Sequence, residues 1–317
     1  MTSGLTGHGR TVHPALAEFK KYVKYWDLCL MLAPVIAYFI IFKYIPMGGI
    51  VIAFKDYKLG LGISGSMWVG FENFIQAFQT RFFIRSIRNT LIISLYKLAV
   101  GFPSPIILAL LLNEVRHSAY KRVVQTISYL PHFLSWVIMA GILTQLLSPN
   151  NGAVNALLKN WFGRKESISF LLDNRYFRGT AVVSDVWKGV GWGSILYLAT
   201  ISSIDPTLYE AAICDGASRP QRVRYITLPC IMPTITIMLI LNLGSILDAG
   251  FDQILNLYSS AVYETGDIID TYVYRVGLVD WNYKLSTAIG LFKNLIGFML
   301  VVTTNAIAKR ISGNGIW

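Results

Sequence analysis

Apolar residues in this chain fall into runs too long for the core of a water-soluble domain, separated by short polar stretches. A helix needs about 20 residues to cross ~30 Å of hydrocarbon. Segments 27–45, 89–113, 123–147, 180–201, 230–247 and 286–308 meet or approach that length. Lys43 and Pro46 interrupt the first before a further apolar run, 48–54, so it either tilts or continues as a broken helix. Pro103 and Pro105 in the second and Pro131 in the third predict kinks, whose freed carbonyls need neighbouring helices. The pattern therefore predicts an all-α polytopic membrane protein, a packed bundle of six transmembrane helices.

Composition agrees: of 317 residues, 54% are hydrophobic and only 14% charged, which excludes an ordinary soluble domain. A net charge of +11 raises nucleic acid as a partner, but the basic residues are scattered through every loop without a compact patch. The expected partner is a lipid bilayer, and no nucleic acid. Basic residues are near balance on the two sides of the predicted bundle, so charge bias does not orient it. Arg81, Arg85 and Arg88 are read as part of an interfacial helix over 71–88. Residues 1–26 are polar and basic with no small-residue cleavage site, which predicts a retained N-terminal segment. His8, His13, His117 and His132 are isolated, so neither a metal site nor a catalytic residue is expected. Cys29, Cys214 and Cys230 suggest no disulfide framework. No glycine-rich phosphate loop is present, so any ATP is hydrolysed by another subunit.

Between the fourth and fifth runs lies a polar break, 203–229. Asp205 suits an N-cap and Pro206 the first helical position, which predicts a helix over 206–214. Asp215-Gly216 tolerates positive φ, and Ser218-Arg219-Pro220-Gln221 reads as a capping box opening a second helix toward Leu228. A helix of that length is roughly 13 Å long, short enough to seat end-on in a groove of a partner, and Ala211 and Ala212 leave room for close approach.

The sequence of that break, Glu210-Ala211-Ala212, then Gly216, then Ile226-Thr227-Leu228-Pro229, resembles the EAA loop of permease subunits in binding-protein-dependent ABC importers. The resemblance extends along nearly the whole chain, to the polysaccharide-permease subgroup of the maltose-type permeases. Phe42-Lys43-Tyr44-Ile45-Pro46-Met47, Trp68-Val69-Gly70-Phe71-Glu72-Asn73-Phe74 and Tyr129-Leu130-Pro131-His132-Phe133 carry it, in order. It implies a type I ABC importer permease fold over residues 27–308, with segments 1–26 and 309–317 on the cytoplasmic side of a bacterial cell membrane. It further implies an ATPase dimer docked on Glu210, Ala211, Ala212, Asp215 and Gly216, with ATP and Mg bound there and no cofactor in this chain. A second homologous permease, an extracytoplasmic solute-binding protein and an oligosaccharide substrate complete the implied system. Extra leading spans and a large inserted external domain, found in some maltose-type permeases, are missing from the pattern.

Asp185, Lys188, Gly189 and Trp192 stand at i, i+3, i+4 and i+7 before the loop, on one predicted helix face. A carboxylate, an ammonium, a backbone gap and an indole suit a sugar, through hydroxyl hydrogen bonds and packing of C–H surfaces. Asn242 and Ser245 form another polar step, and Trp136 is a further pathway candidate. The other reading makes Asp185 and Lys188 a simple i, i+3 ion pair and Trp192 packing. Lys97 and Lys293 have no assigned partner. The acidic stretch between Leu247 and Ser286 reads as a solvated external surface, or as a docking face for a receptor. The rival function is a stand-alone secondary transporter driven by an ion gradient through Asp185 and Lys188.

Overall fold

The computed structural model describes residues 25–163 and 166–312. Most of the expected N-terminal segment, 1–24, and the end of the expected tail, 313–317, lie outside the described residues. Four helices among the described residues are long and apolar enough to cross a bilayer: Trp26–Phe54, Arg81–Glu114, Arg219–Gly244 and Tyr283–Ile307. The pair Ser118–Phe133 and Trp136–Leu146, bent by 109°, makes a fifth if taken as one span. The remaining predicted span lies within Asn174–Ser202, a helix of 29 residues whose Arg175, Arg178, Asp185 and Lys188 lower its hydropathy. It runs through the middle of the bundle and packs on the second, third and fifth spans.

Pro34 and Pro233 sit inside continuous helices, and prolines elsewhere in the spans meet two further outcomes. Pro46, Pro103 and Pro229 each follow by two residues a single π-turn, Ile40–Tyr44, Lys97–Gly101 and Val223–Thr227 respectively. The widened turn takes up the missing N–H and the ring clash, and each helix continues. Pro131 instead sits in a short 3₁₀ turn, Leu130–Phe133, after which Ser135 caps a new helix. The third span is therefore sharply broken where a kink was expected.

Two expectations are corrected. The interfacial helix over 71–88 is interrupted at Thr80, where ψ of 116° leaves the helical region, and Arg81 opens the second span. The acidic stretch after Leu247 is a solvated surface only in part: Asp248, Asp252, Glu264 and Asp280 are exposed, but the stretch folds into a helical cap, with Phe251–Leu257, Tyr263–Gly266 and Ile269–Tyr274, that draws in Asp267 and Asp270. Ile254, Val262 and Ile268 of the cap are buried against Ile93, Ala140 and Phe177. Its fully buried Asp267 meets Arg275 at 2.6 Å, and Asp270 meets Lys293 of the last helix at 2.6 Å. Those pairings satisfy carboxylates that water would otherwise have to hold.

Candidate functional site

The polar residues of the central helix divide between two sites. Lys188 and Gly189 are neighbours in sequence and therefore ~100° apart around the helix axis. Gly189 and Asp185 line a cavity of about 300 Å³ together with Asn242 and Ser245 of the fifth span. Lys97, Ser94 and Asp248 complete its polar wall. Lys97 Nζ lies 3.1 Å from Asp185 Oδ1 and also donates to Gln253 Oε1. Gln253 is fully buried, and its amide nitrogen donates to Ala181 O at 2.6 Å and Ser184 Oγ at 2.8 Å. Gly250, with φ of +88°, turns the chain beside the Lys97 ammonium, where an added Cβ would intrude. The result is a chamber whose lysine is held across three elements, by Asp185 of the central helix and Gln253 of the cap.

Lys188 and Trp192 face the break in the third span instead. Lys188 Nζ donates to the carbonyls of His132 at 2.7 Å and Leu134 at 2.6 Å, which the broken helix leaves free, and at 3.3 Å to Pro131 O, which also accepts from Leu134 N. Its ammonium also stands 5.6 Å from the Trp136 ring centre. Trp192 stacks on His132 with ring centres 4.6 Å apart and planes within 1°. The single stripe expected from sequence is thus corrected: Asp185, Gly189, Asn242 and Ser245 come together, and Lys188, Trp192 and Trp136 form a separate cluster at the bend. The i, i+3 ion pair is replaced by Lys97–Asp185. Lys97 was legible as a lysine inside an apolar run, which demands a counter-ion; Gln253 and His132 gave no comparable signal.

On the side of the bundle reached by the break at 203–229, the expected helix is present as Pro206–Cys214. Asp205 Oδ1 accepts from Thr207 N at 2.9 Å, and this hydrogen bond holds its carboxyl below the usual carboxylate range. The depressed value keeps the cap charged at neutral pH, and its contribution is lost only as pH falls through that lowered value. At the other end Ala217 N donates to Ala212 O at 2.8 Å and Gly216 N to Ile213 O at 3.0 Å, with Gly216 at φ of +78°. That is a Schellman end, in which positive φ is free only for glycine. Gln221 Oε1 accepts from Ser218 N at 2.7 Å and opens the next helix. Every residue of Pro206–Cys214 stays at least partly exposed, including Glu210, while Tyr209 anchors the helix by bonding Thr227 at 2.9 Å. The helix is thus framed at both ends while every one of its side chains stays at least partly open to contact.

The profile of the family described as binding-protein-dependent transport system inner membrane component matches residues 101–313. Protein LplB of Bacillus subtilis strain 168 is 46% identical over 290 residues, 92% of this chain and 91% of that protein. The polygalacturonan/rhamnogalacturonan transport system permease protein YteP of the same organism is 44% identical over 297 residues, 94% of this chain and 92% of that protein. A crystal structure of a bacterial ABC transporter involved in the import of the acidic polysaccharide alginate contains a chain 44% identical, with a TM-score of 0.86. The match covers 93% of this chain and 99% of that one. A second structure, of a bacterial alginate ABC transporter in complex with alginate pentasaccharide-bound periplasmic protein, matches at 45% identity and a TM-score of 0.86 over 94% of this chain and 99% of that one.

Proposed function

The chain belongs to the family of inner membrane components of binding-protein-dependent transport systems, and from that premise we propose that it is one permease subunit of an ATP-driven oligosaccharide importer. Its fold is that of a type I ABC importer permease. In this reading the permease itself is non-catalytic. A separate ATPase dimer binds ATP and Mg, a second, similar permease completes the pathway, and an extracytoplasmic binding protein delivers substrate. Both termini and the 203–229 segment then lie in the cytoplasm, because that segment has to meet the ATPase.

The observation that carries the proposal is the exposed Pro206–Cys214 helix, framed at both ends and joined directly to the two spans that wall the polar chamber. Closure of the ATPase dimer pushes on Glu210, Ala211, Ala212, Asp215 and Gly216, and rigid ends pass the displacement into the helices carrying Asp185, Gly189, Asn242 and Ser245. The chamber offers hydroxyl partners from both spans, in keeping with relatives named for polygalacturonan and rhamnogalacturonan or for alginate. Trp136, Lys188 and Trp192 act one layer out, by fixing the bend that bounds the pathway. The ion-gradient alternative calls for a carboxylate free to exchange its cation, whereas Asp185 is already engaged by Lys97.

The decisive experiment is purification of the tagged chain from its native membrane in mild detergent, with co-purifying proteins identified by mass spectrometry. Recovery of an ATPase and a second permease is expected. A homomer without ATPase, whose uptake collapses with an uncoupler and survives ATP depletion, overturns the proposal in favour of secondary transport.

A further inference from the structure

The segment that follows the first helix is a rigid platform whose large apolar side chains face away from the protein. Two short strands pair antiparallel, with Lys55 opposite Trp68 and Asp56 opposite Met67. Ser66 locks the connection between them: its hydroxyl accepts from Lys58 N at 3.1 Å and donates to Gly62 O at 2.6 Å. Asn73, which is buried, ties the platform to the end of the first helix by donating to Ala53 O at 2.9 Å and Lys55 O at 3.0 Å. The Trp68 ring lies flat on Phe54, with centres 5.6 Å apart and planes within 9°. Phe71 and Phe74 close on the same Phe54 ring.

None of this framework hides the outer face. Trp68 is 61% exposed and Phe71 69%, both beside Phe54, while Met67, on the opposite face of the ladder, is 74% exposed, and Leu59, Leu61 and Ile75 are exposed as well. Apolar surface held outward by a rigid scaffold marks an interaction site. Depth identifies the partner. Phe54 ends the first helix and Lys55 begins the strand, so the pairing of Lys55 with Trp68 sets Trp68 level with the end of that helix, on the side where the apolar span runs out. The exposed apolar surface of the helix continues into the patch through Ile50 and Val51. Lys58 and Arg81 are exposed on either side of it, Lys58 also standing 3.8 Å from Asp56, and Glu72 is exposed within the segment. Aromatic and apolar side chains at a span end with flanking Lys and Arg are the composition of an interfacial anchor.

We propose that the 59–75 platform is a monotopic lipid anchor, inserting Leu61, Trp68 and Phe71 into the headgroup–acyl boundary of the leaflet opposite the Pro206–Cys214 helix. Anchored there, it fixes the depth of the first helix, which the rest of the chain grips only near its last turns. The partner is the bilayer surface, not a second protein.

The test uses the assembled transporter in vesicles of phosphatidylethanolamine and phosphatidylglycerol that carry bromine at defined acyl positions. The contribution of Trp68 is the difference in tryptophan emission between the natural protein and Trp68→Phe, which keeps an aromatic ring on Phe54. Expected is loss of most of that difference signal with bromine near the top of the acyl chain, weaker quenching with bromine near the bilayer centre, and little quenching by aqueous iodide. Quenching by iodide but not by bromolipid overturns the anchor in favour of a water-exposed face. Protection from both quenchers overturns it in favour of a protein partner. A second reporter, Phe71→Trp in the Trp68→Phe background, reads the same depth from an independent position if the first variant alters the packing.

Discussion

Lys97 and Asp185 show how one residue pair can organise a chamber. The Lys97 side chain is 12% exposed and the Asp185 side chain 36%, so the lysine depends on its partners while the aspartate still meets solvent. Replacing Asp185 with Asn leaves Lys97 with a neutral partner and the Gln253 amide. The expected destabilisation is about 1–3 kcal/mol, below the ~3–5 kcal/mol of fully buried pairs because Asp185 is partly solvated. Lys97→Met and Asp185→Leu are each expected to destabilise as well, and the double variant to cost less than their sum, read as non-additivity in a thermal-unfolding cycle in detergent. Strict additivity would show the pair to be uncoupled. Gly216 makes a different kind of contribution, through its backbone. With φ of +78° and an N–H that bonds Ile213, it tolerates neither a ring nor a lost donor. Gly216→Pro is expected to insert normally and abolish transport, with ATPase activity of the complex no longer stimulated by substrate-loaded binding protein. Coupled uptake by that variant at normal expression rules out the turn as a transmission element.

At the level of elements, the prolines mark the limit of what the sequence makes legible. The spacing of apolar residues gave the spans, and local capping chemistry gave the Pro206–Cys214 helix with its boundaries, because both depend on neighbours within one or two turns. Whether a proline bends a helix depends on what lies across from it. Pro46, Pro103 and Pro229 are absorbed by π-turns, whereas Pro131 ends its helix because Lys188, fifty-seven residues away in sequence, satisfies the carbonyls released there. The same non-locality separated Lys188 and Trp192 from the chamber and hid the pairing of two carboxylates of the acidic stretch, Asp267 with Arg275 and Asp270 with Lys293. Lys188→Met is therefore expected to act on the bend. It strands two acceptors, the His132 and Leu134 carbonyls, at about 1–3 kcal/mol for each one left unsatisfied, while Pro131 O keeps the Leu134 N–H. The checks are a lower unfolding temperature and altered tryptophan emission from the Trp192–His132 stack. Unchanged stability and emission would mean that the bend is held by other contacts.

The whole molecule is incomplete along one side. From Trp26 to Gly48 every side chain of the first helix is exposed, and only its last turns, Gly48–Phe54, pack on the final helix. A helix that is apolar all round and gripped at one end has two candidate covers, lipid and a second permease. Lipid alone gives no reason for the helix to hold a fixed course away from its own bundle, because hydrocarbon solvates every orientation equally well. A neighbouring permease does, since van der Waals packing against a second bundle selects one direction. Replacing the exposed Met31 with the photoactivatable p-benzoylphenylalanine tests this in intact membranes. Illumination is expected to yield a covalent adduct whose mass and peptides identify the second permease, and the adduct should vanish when that subunit is not co-expressed. Adducts with lipid alone, in membranes where the two permeases still co-purify, would place the first helix on the outside of the assembly and leave the permease contact to the shorter helices.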